Sequence, residues 1–433
     1  MTRLARWTIW AISAAALLSL PLVAPASWPF EPAYAQRASK PKQTLGKPGH
    51  APATSAKRTP KKAAPTTSEL PPRVPFTAAE DAGSVIGGIP DARFWGDSEA
   101  DYNKTLPQPA GPWLILSSGG ADGAFGAGLL TGLTAVGKRL DYAAVTGVST
   151  GALMAPFAFA GPRYDEALRR AFTEVTAADI FEAGKTGESF VDSWPLRDFI
   201  AKEITSQLFA DIAAEHRRGR RMFVVSFNLD AERSVVWNMG AIAAHGGDDA
   251  LKLFRSVLLA SCSIPGGFPP VLIDVEANGK RFQEMHVDGG VGGQFFVAPA
   301  PLMASTSDYR LPATQLYLVI NSGLERDFKV VERFAPSILT QTVGAAVKVD
   351  TRLMIDRAYL ATQRSGVDFN VATIPSTFSA PSQGPFDPKY MQALFEVGYA
   401  QGVGATPFDP KPPPYPAAPA GAASQTEKTG ANQ

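Results

Sequence analysis

AAVTGVSTGALMAPFAF, residues 143–159, holds the pattern on which the fold turns. Gly147, Ser149 and Gly151 set a serine between small residues where two segments of different character meet. Before it, YAAVTGV is short, apolar and partly β-branched, and reads as a buried strand. After it, TGALMAPFAFAG begins an apolar helix. A strand-to-helix turn this tight leaves no room for side chains beside the serine, which is why glycines flank it. The turn would present the Ser149 hydroxyl, and the following helix would aim N–H groups and its positive dipole end at a developing oxyanion. The alternative is a small-residue turn in which Ser149 only caps that helix.

Two neighbouring stretches carry similar punctuation. WLILSS (113–118) reads as a strand, and GGADGAFGAGLLTGLTAVGKRL (119–140) as a glycine loop running into a helix. N–H groups around Gly119 and Gly120 can converge on an anion at the strand end. The Gly-x-Gly-x-x-Gly spacing of a dinucleotide loop is missing. Gly132 to Lys138 imitates a phosphate loop, but Arg139 follows where Ser or Thr is required, and the match lies within the helical stretch. An oxyanion loop fits best, with Gly126 and Gly128 read as close packing of helix on sheet. EMHVDGGVGG (284–293) sets Asp288 at a strand end before Gly289 and Gly290, although an Asp-Gly pair also makes an ordinary turn. His286 lies two residues earlier, on the same face of an extended chain.

Between residues 113 and 408, short apolar runs alternate with helical stretches. RMFVVSFNL, SVVWNM, QLYLVIN and VDFNVATI read as strands. DDALKLFRSVLLAS, SILTQTVGAAVKVDTRLMIDRAYLATQR and DPKYMQALFEVGYAQG read as helices. The alternation indicates an α/β fold. With one cysteine, Cys262, the chain can form no internal disulfide or cysteine metal cluster. With four histidines (His50, His216, His245 and His286) a multi-histidine metal site is disfavoured, and no metal is assigned. His216 falls in a basic run and His245 in a glycine-flanked loop. A net charge of +1 argues against a nucleic-acid partner.

The ends differ in composition. Residues 1–35 combine Arg3 and Arg6, an apolar run and Ala33-Tyr34-Ala35, the signature of a signal peptide, with an uncleaved anchor as the alternative. Export to the periplasm or beyond the cell follows from that reading. Residues 36–75, rich in Lys, Pro, Ala and Thr, are expected to be a disordered basic linker, and 409–433 a disordered Pro/Ala tail. The domain then comprises a lead-in (76–112), a core (113–301) and a continuation (302–408). FEAGKTGESF (181–190) is a candidate lip over the site.

The ordered set SSGGADG, GVSTG, LLASCSIPGGFPPV and DGG resembles the patatin-like phospholipase family. The resemblance covers residues 113–301 most strongly. It implies an α/β three-layer sandwich with a central, mostly parallel sheet and helices on both faces. It further implies a Ser-Asp dyad, with Ser149 as nucleophile and Asp288 as base, acting on lipid esters at a membrane or micelle surface without a cofactor. The implied oxyanion donors are the backbone N–H groups of Gly119, Gly120, Ala121 and Thr150. Gly123, Gly147, Gly151, Gly289 and Gly290 are the motif glycines.

Three positions depart from the pattern: Ser118 replaces a glycine, Asp122 stands where a basic residue is common, and no asparagine follows the DGG. Two other functions compete. One is an α/β-hydrolase-type esterase using His286 with Asp230 or Asp274; the other is a non-catalytic lipid-binding envelope protein.

Overall fold

Alternation along the central strands divides the core in two. Leu114, Leu116, Val145 and Val224 point into one apolar cluster, while Trp113, Ile115, Ala144 and Val225 point into another. Strands buried on both faces require helices on both sides. The computed structural model describes residues 71–184, 188–326 and 328–415.

The strands are β1 (Arg93–Trp95), β2 (Trp113–Leu116), β3 (Ala144–Val148), β4 (Glu182–Ala183), β5 (Val191–Asp192), β6 (Arg221–Asn228), β7 (Arg233–Asn238), β8 (Val271–Ala277), β9 (Lys280–Asp288), β10 (Gln315–Ile320) and β11 (Asp368–Thr373). The main sheet runs β1-β7-β6-β3-β2-β10-β11. From β6 through β11 all neighbours are parallel. β1, β7 and the β8–β9 hairpin join antiparallel. The result is a mixed, mostly parallel sheet between two helical layers, the patatin-like α/β architecture.

One layer holds the helices Gly123–Ala135, Thr150–Ala160, Asp248–Ser261 and Pro388–Val403, whose Phe125, Met154, Phe254 and Leu394 fill the first cluster. The other is led by the 31-residue helix Ala335–Ser365, which contributes Ile355, Ala358 and Ala361 to the second.

The glycine helix is doubly constrained. At Gly126 a Cβ would come within 3.1 Å of Val319 on the sheet. Gly128, expected on the sheet as well, instead faces the C-terminal helix, where a Cβ would sit 2.0 Å from the Phe395 carbonyl oxygen. Gly398 answers from the other side, where a Cβ would sit 2.0 Å from the Phe125 carbonyl oxygen, so the two helices touch backbone to backbone.

The expected signal peptide, most of the expected linker and residues 416–433 of the expected tail lie outside the described residues. The folded part is wider than its expected bounds. Arg73 donates to both Asp230 carboxylate oxygens, and Asp409 pairs its backbone with Val371. Composition alone missed these because each contact is a single long-range anchor within a polar, proline-rich stretch.

Candidate active site

Two registers on one strand bring Ser149 and Asp288 together. Val148, the last residue of β3, pairs with Val225 of β6. The next β6 residue, Ser226, pairs with Asp288 at the end of β9. β9 thus takes the place beside β6 that β3 vacates when the chain turns at Ser149. The Ser149 hydroxyl donates to Asp288 Oδ2 at 2.6 Å.

The turn at Ser149 is strained: φ is 54° in a residue with a side chain, a cost that persists only where surroundings impose it. Here the Ser149 N–H donates to Ser261 Oγ (3.0 Å), Ser261 donates to the Val225 carbonyl (2.6 Å), and the Cys262 thiol donates to the Ser149 carbonyl (3.2 Å). The flanking glycines are obligatory. A Cβ on Gly147 would lie 2.3 Å from the Gly151 carbonyl oxygen, and one on Gly151 would lie 2.4 Å from that of Leu116. Ser149 begins the helix Thr150–Ala160 but makes no side-chain cap, so the capping alternative fails.

Asp288 is equally fixed. Its N–H donates to the Ser263 carbonyl, and Oδ1 accepts the Gly290 N–H at 2.8 Å. Gly289 is required because a Cβ would meet the Val225 carbonyl oxygen at 2.3 Å. Burial raises the Asp288 carboxyl from its ordinary 3.8 to about 6, against the opposing hydrogen bonds from Ser149 and Gly290. A carboxylate made more basic by desolvation is a better proton acceptor near neutral pH. Burial also pushes the Cys262 thiol up, so it stays protonated beside Ser149 and Asp288.

The glycine loop closes the far side. Gly119 fits against the Asn321 carbonyl with no space for a Cβ, and Gly120 has φ of 56°. Residues Gly120–Asp122 form a single tight turn leading into the helix. At Gly123 a Cβ would fall 2.3 Å from Thr150 Oγ1, which ties the loop to the start of the nucleophile helix. Gly120 and Thr150 border an apolar crevice shared with Leu153, Phe172, Phe199 and Phe386. Its cavity volume of about 30 Å³ holds a water or two, so an acyl chain would have to spread these side chains to enter.

The three departures from the family pattern find physical answers. Asp122 does not face an oxyanion unattended, since its Oδ1 accepts the Tyr390 hydroxyl at 2.6 Å. Ser118 donates from its hydroxyl to Gln294 Oε1, and its N–H donates to the Gln294 carbonyl at 2.8 Å. Gln294 Nε2 in turn donates to the Gly290 carbonyl at 2.9 Å. Gln294 thus connects the glycine loop to the turn that holds Asp288. Sequence reasoning missed it, and its signal was modest: a lone amide in the glycine-rich run after DGG. Asn321 was also missed. It accepts the Gly126 N–H and donates to the Ser117 carbonyl, both from its side chain, at 3.1 and 3.0 Å. A polar residue ending the apolar strand QLYLVI was the available clue.

His286 takes no part in the dyad. Its Nδ1 lies 2.9 Å from Ser226 Oγ and its Nε2 3.0 Å from Glu284 Oε2, which occupies both ring nitrogens. The acids considered for it are engaged elsewhere, Asp230 with Arg73 and Asp274 with Gln283. The α/β-hydrolase-type triad is therefore excluded by geometry. His216 is half-buried rather than solvated, with burial lowering it to about 4. His245 ends the helix Met239–His245 rather than lying in a loop.

The expected lip is a small hairpin of β4 and β5. Phe190 and Val191 donate their N–H groups to the carbonyls of Gly266 and Gly267, strapping the hairpin to the loop that follows Ser263.

Residues 114–301 match the family model described as patatin-like phospholipase. No curated protein matches the sequence. Among solved structures the chain is similar to VipD from Legionella pneumophila, at 12% identity and a TM-score of 0.36, over 69% of this chain and 67% of that one. It is also similar to the type III effector protein ExoU, at 14% identity and a TM-score of 0.28, over 69% of this chain and 53% of that one. This chain thus spans about half of ExoU's length. Residues 114–301 are thus similar to the patatin-like phospholipase family.

Proposed function

We propose that this protein is a serine acyl hydrolase that cleaves carboxylic ester bonds of phospholipids or related lipids through Ser149 and Asp288. The observation that carries this reading is the 2.6 Å bond from the Ser149 hydroxyl to a buried carboxylate. Asp288 Oδ2 takes the hydroxyl proton as Ser149 Oγ bonds to the ester carbonyl carbon. The carbonyl oxygen becomes an oxyanion held by N–H groups of Gly119, Gly120, Ala121 and Thr150. The C–O bond to the alcohol breaks, and Asp288 returns the proton to the departing oxygen. A water then attacks the acyl-serine, giving its proton to Asp288, and Ser149 Oγ leaves with that proton. In this scheme no step calls for a metal or cofactor. The N-terminal segment is proposed to export the chain to the periplasm or beyond, where envelope lipid would be the substrate.

A fluorophosphonate probe tests the reading, with the modified peptide mapped by mass spectrometry. Labelling of Ser149 that disappears in Ser149→Ala supports it. A folded but unlabelled protein, with and without detergent micelles, would favour the non-catalytic lipid-binding alternative.

Gln294 offers a finer test. Gln294→Ala keeps the backbone bond to Ser118 but severs both side-chain links between loop and dyad turn. We expect kcat to fall about tenfold with KM nearly unchanged, because the loss is one of positioning. Steady-state kinetics on a short-chain ester would separate the two constants.

A further inference from the structure

We infer that the first half of the helix Ala335–Ser365 is a lipid-surface docking arm standing beside the active site. The inference rests on the lipid-ester reading of the Ser149 site and adds how the protein reaches a lipid surface.

Helix and strand lengths define the arm. Every buried residue of this helix lies at or after Thr351. That packed part, 15 residues or about 22 Å, matches the roughly 20 Å of the six-residue strands it covers. The helix ends at Ser365, just before β11 begins at Asp368, so its C-terminus lies at the starting edge of the parallel strands. The 16 residues before Thr351 therefore extend about 24 Å past the opposite edge, where β3 ends and Ser149 begins.

The arm's polarity is inverted relative to a helix that packs on its own domain. Ile338, Leu339 and Val343 are between 51% and 58% exposed. Gln341 and Lys348 instead turn toward the body and, with Gly344, Ala345 and Val349, line a groove against Leu324 and Arg326. The Lys348 ammonium donates to the Glu325 carbonyl at 2.8 Å. From Phe334 to Val347 there is no charged residue. An amphipathic helix with its apolar face outward needs an apolar partner.

A lipid surface fits that partner better than a second copy of the chain, because the apolar exposure continues around the same edge. Ile264 follows Ser263, whose carbonyl holds Asp288, and Val291 follows the Asp288 turn; both are exposed, as is Phe190 on the adjoining hairpin. Phe328 and Val330, in the loop leading to the arm, are 95% and 81% exposed. No helix among the described residues is long and apolar enough to cross a membrane, so the arm would lie in the interface. Its flanking charges balance, with Glu325, Asp327 and Glu332 against Arg326, Lys329 and Arg333. Docking should then depend on apolar burial and little on salt.

The test is flotation of the chain with phosphatidylcholine vesicles, at low and high salt, for the parent and for Leu339→Glu/Val343→Glu. Both positions are exposed, so the folded domain tolerates the change. The parent is expected to float under both conditions. The double variant should lose at least about tenfold in partitioning and in hydrolysis of vesicle lipid, with hydrolysis of a soluble short-chain ester unchanged. Equal flotation of parent and variant would overturn the inference. So would flotation abolished by high salt, which would assign binding to the basic segment. A parent dimer that the variant converts to monomer, with vesicle binding intact, would assign the face to a second copy and also overturn it. Ser149→Ala separates the two readings, since it should float normally and hydrolyse nothing. Arm-dependent flotation of a parent that cleaves no ester would refute the hydrolase reading and leave the docking arm standing.

Discussion

Asp288→Asn is expected to lower kcat on a short-chain ester by about 10³- to 10⁴-fold, with the fold intact. Asparagine preserves the shape of the site. Its carbonyl can still accept the Gly290 N–H, and its amide can donate to Ser149 Oγ in place of accepting from it. What it cannot do is take the hydroxyl proton, and no other base among the described residues is placed to do so. Ser149 Oγ donates to Asp288, while His286, the nearest histidine in sequence, spends both ring nitrogens on Ser226 and Glu284. Ser149→Ala should cost at least as much, and the double variant no more than the worse single one, because the two residues act as a unit. His286→Gln should destabilise the protein by unpicking a buried network while leaving turnover per folded molecule within about an order of magnitude of the parent. Activity of Asp288→Asn above about a tenth of the parent's would assign the base elsewhere.

Much of this site was legible because its residues sit at chain reversals, which leave local marks. The elbow needs Gly147 and Gly151 beside Ser149, and the loop and the acid turn need Gly119 and Gly289, so each appears as a glycine at the end of an apolar run. The parallel strands and principal helices were readable from the same alternation. What escaped was set by distant partners. The β8–β9 hairpin, which carries Asp288 to β6, has only a half-apolar pattern because β8 exposes alternate residues. Helices such as Asp165–Thr173 and Ser206–Arg217 are polar enough to resemble solvated segments. Gln294, Asn321 and Ser261 matter through hydrogen bonds across more than a hundred residues, and nothing local announces such a bond. Asp122 shows the converse. Its sequence position suggested a charge conflict, and Tyr390, 268 residues away, receives the carboxylate.

The burial that makes Asp288 a useful base should also make activity rise with pH and stability fall. The proposed mechanism requires the carboxylate, and burial places its ionisation at about 6 rather than 3.8. kcat/KM should therefore climb tenfold per pH unit on the acid side, level off above about 6, and stand near one hundredth of its plateau two units below. Stability carries the opposite sign. Between the unfolded and folded ionisations the native chain holds a proton that the unfolded chain has lost, so this carboxyl stabilises the fold fully only below about 4. That contribution is lost as pH rises through about 6. The difference of about two pH units corresponds to roughly 3 kcal/mol at most. Asp288→Asn carries no such charge, so its unfolding free energy should equal or exceed the parent's at neutral pH, and the gap should close on acidification toward pH 4. Denaturant titrations of both proteins across that range, beside the pH–rate profile of the parent, measure the two faces of the same ionisation. An active-site acid that raised both activity and stability on deprotonation would be one held by an opposite charge, and the described surroundings of Asp288 offer it only a hydroxyl and a backbone N–H.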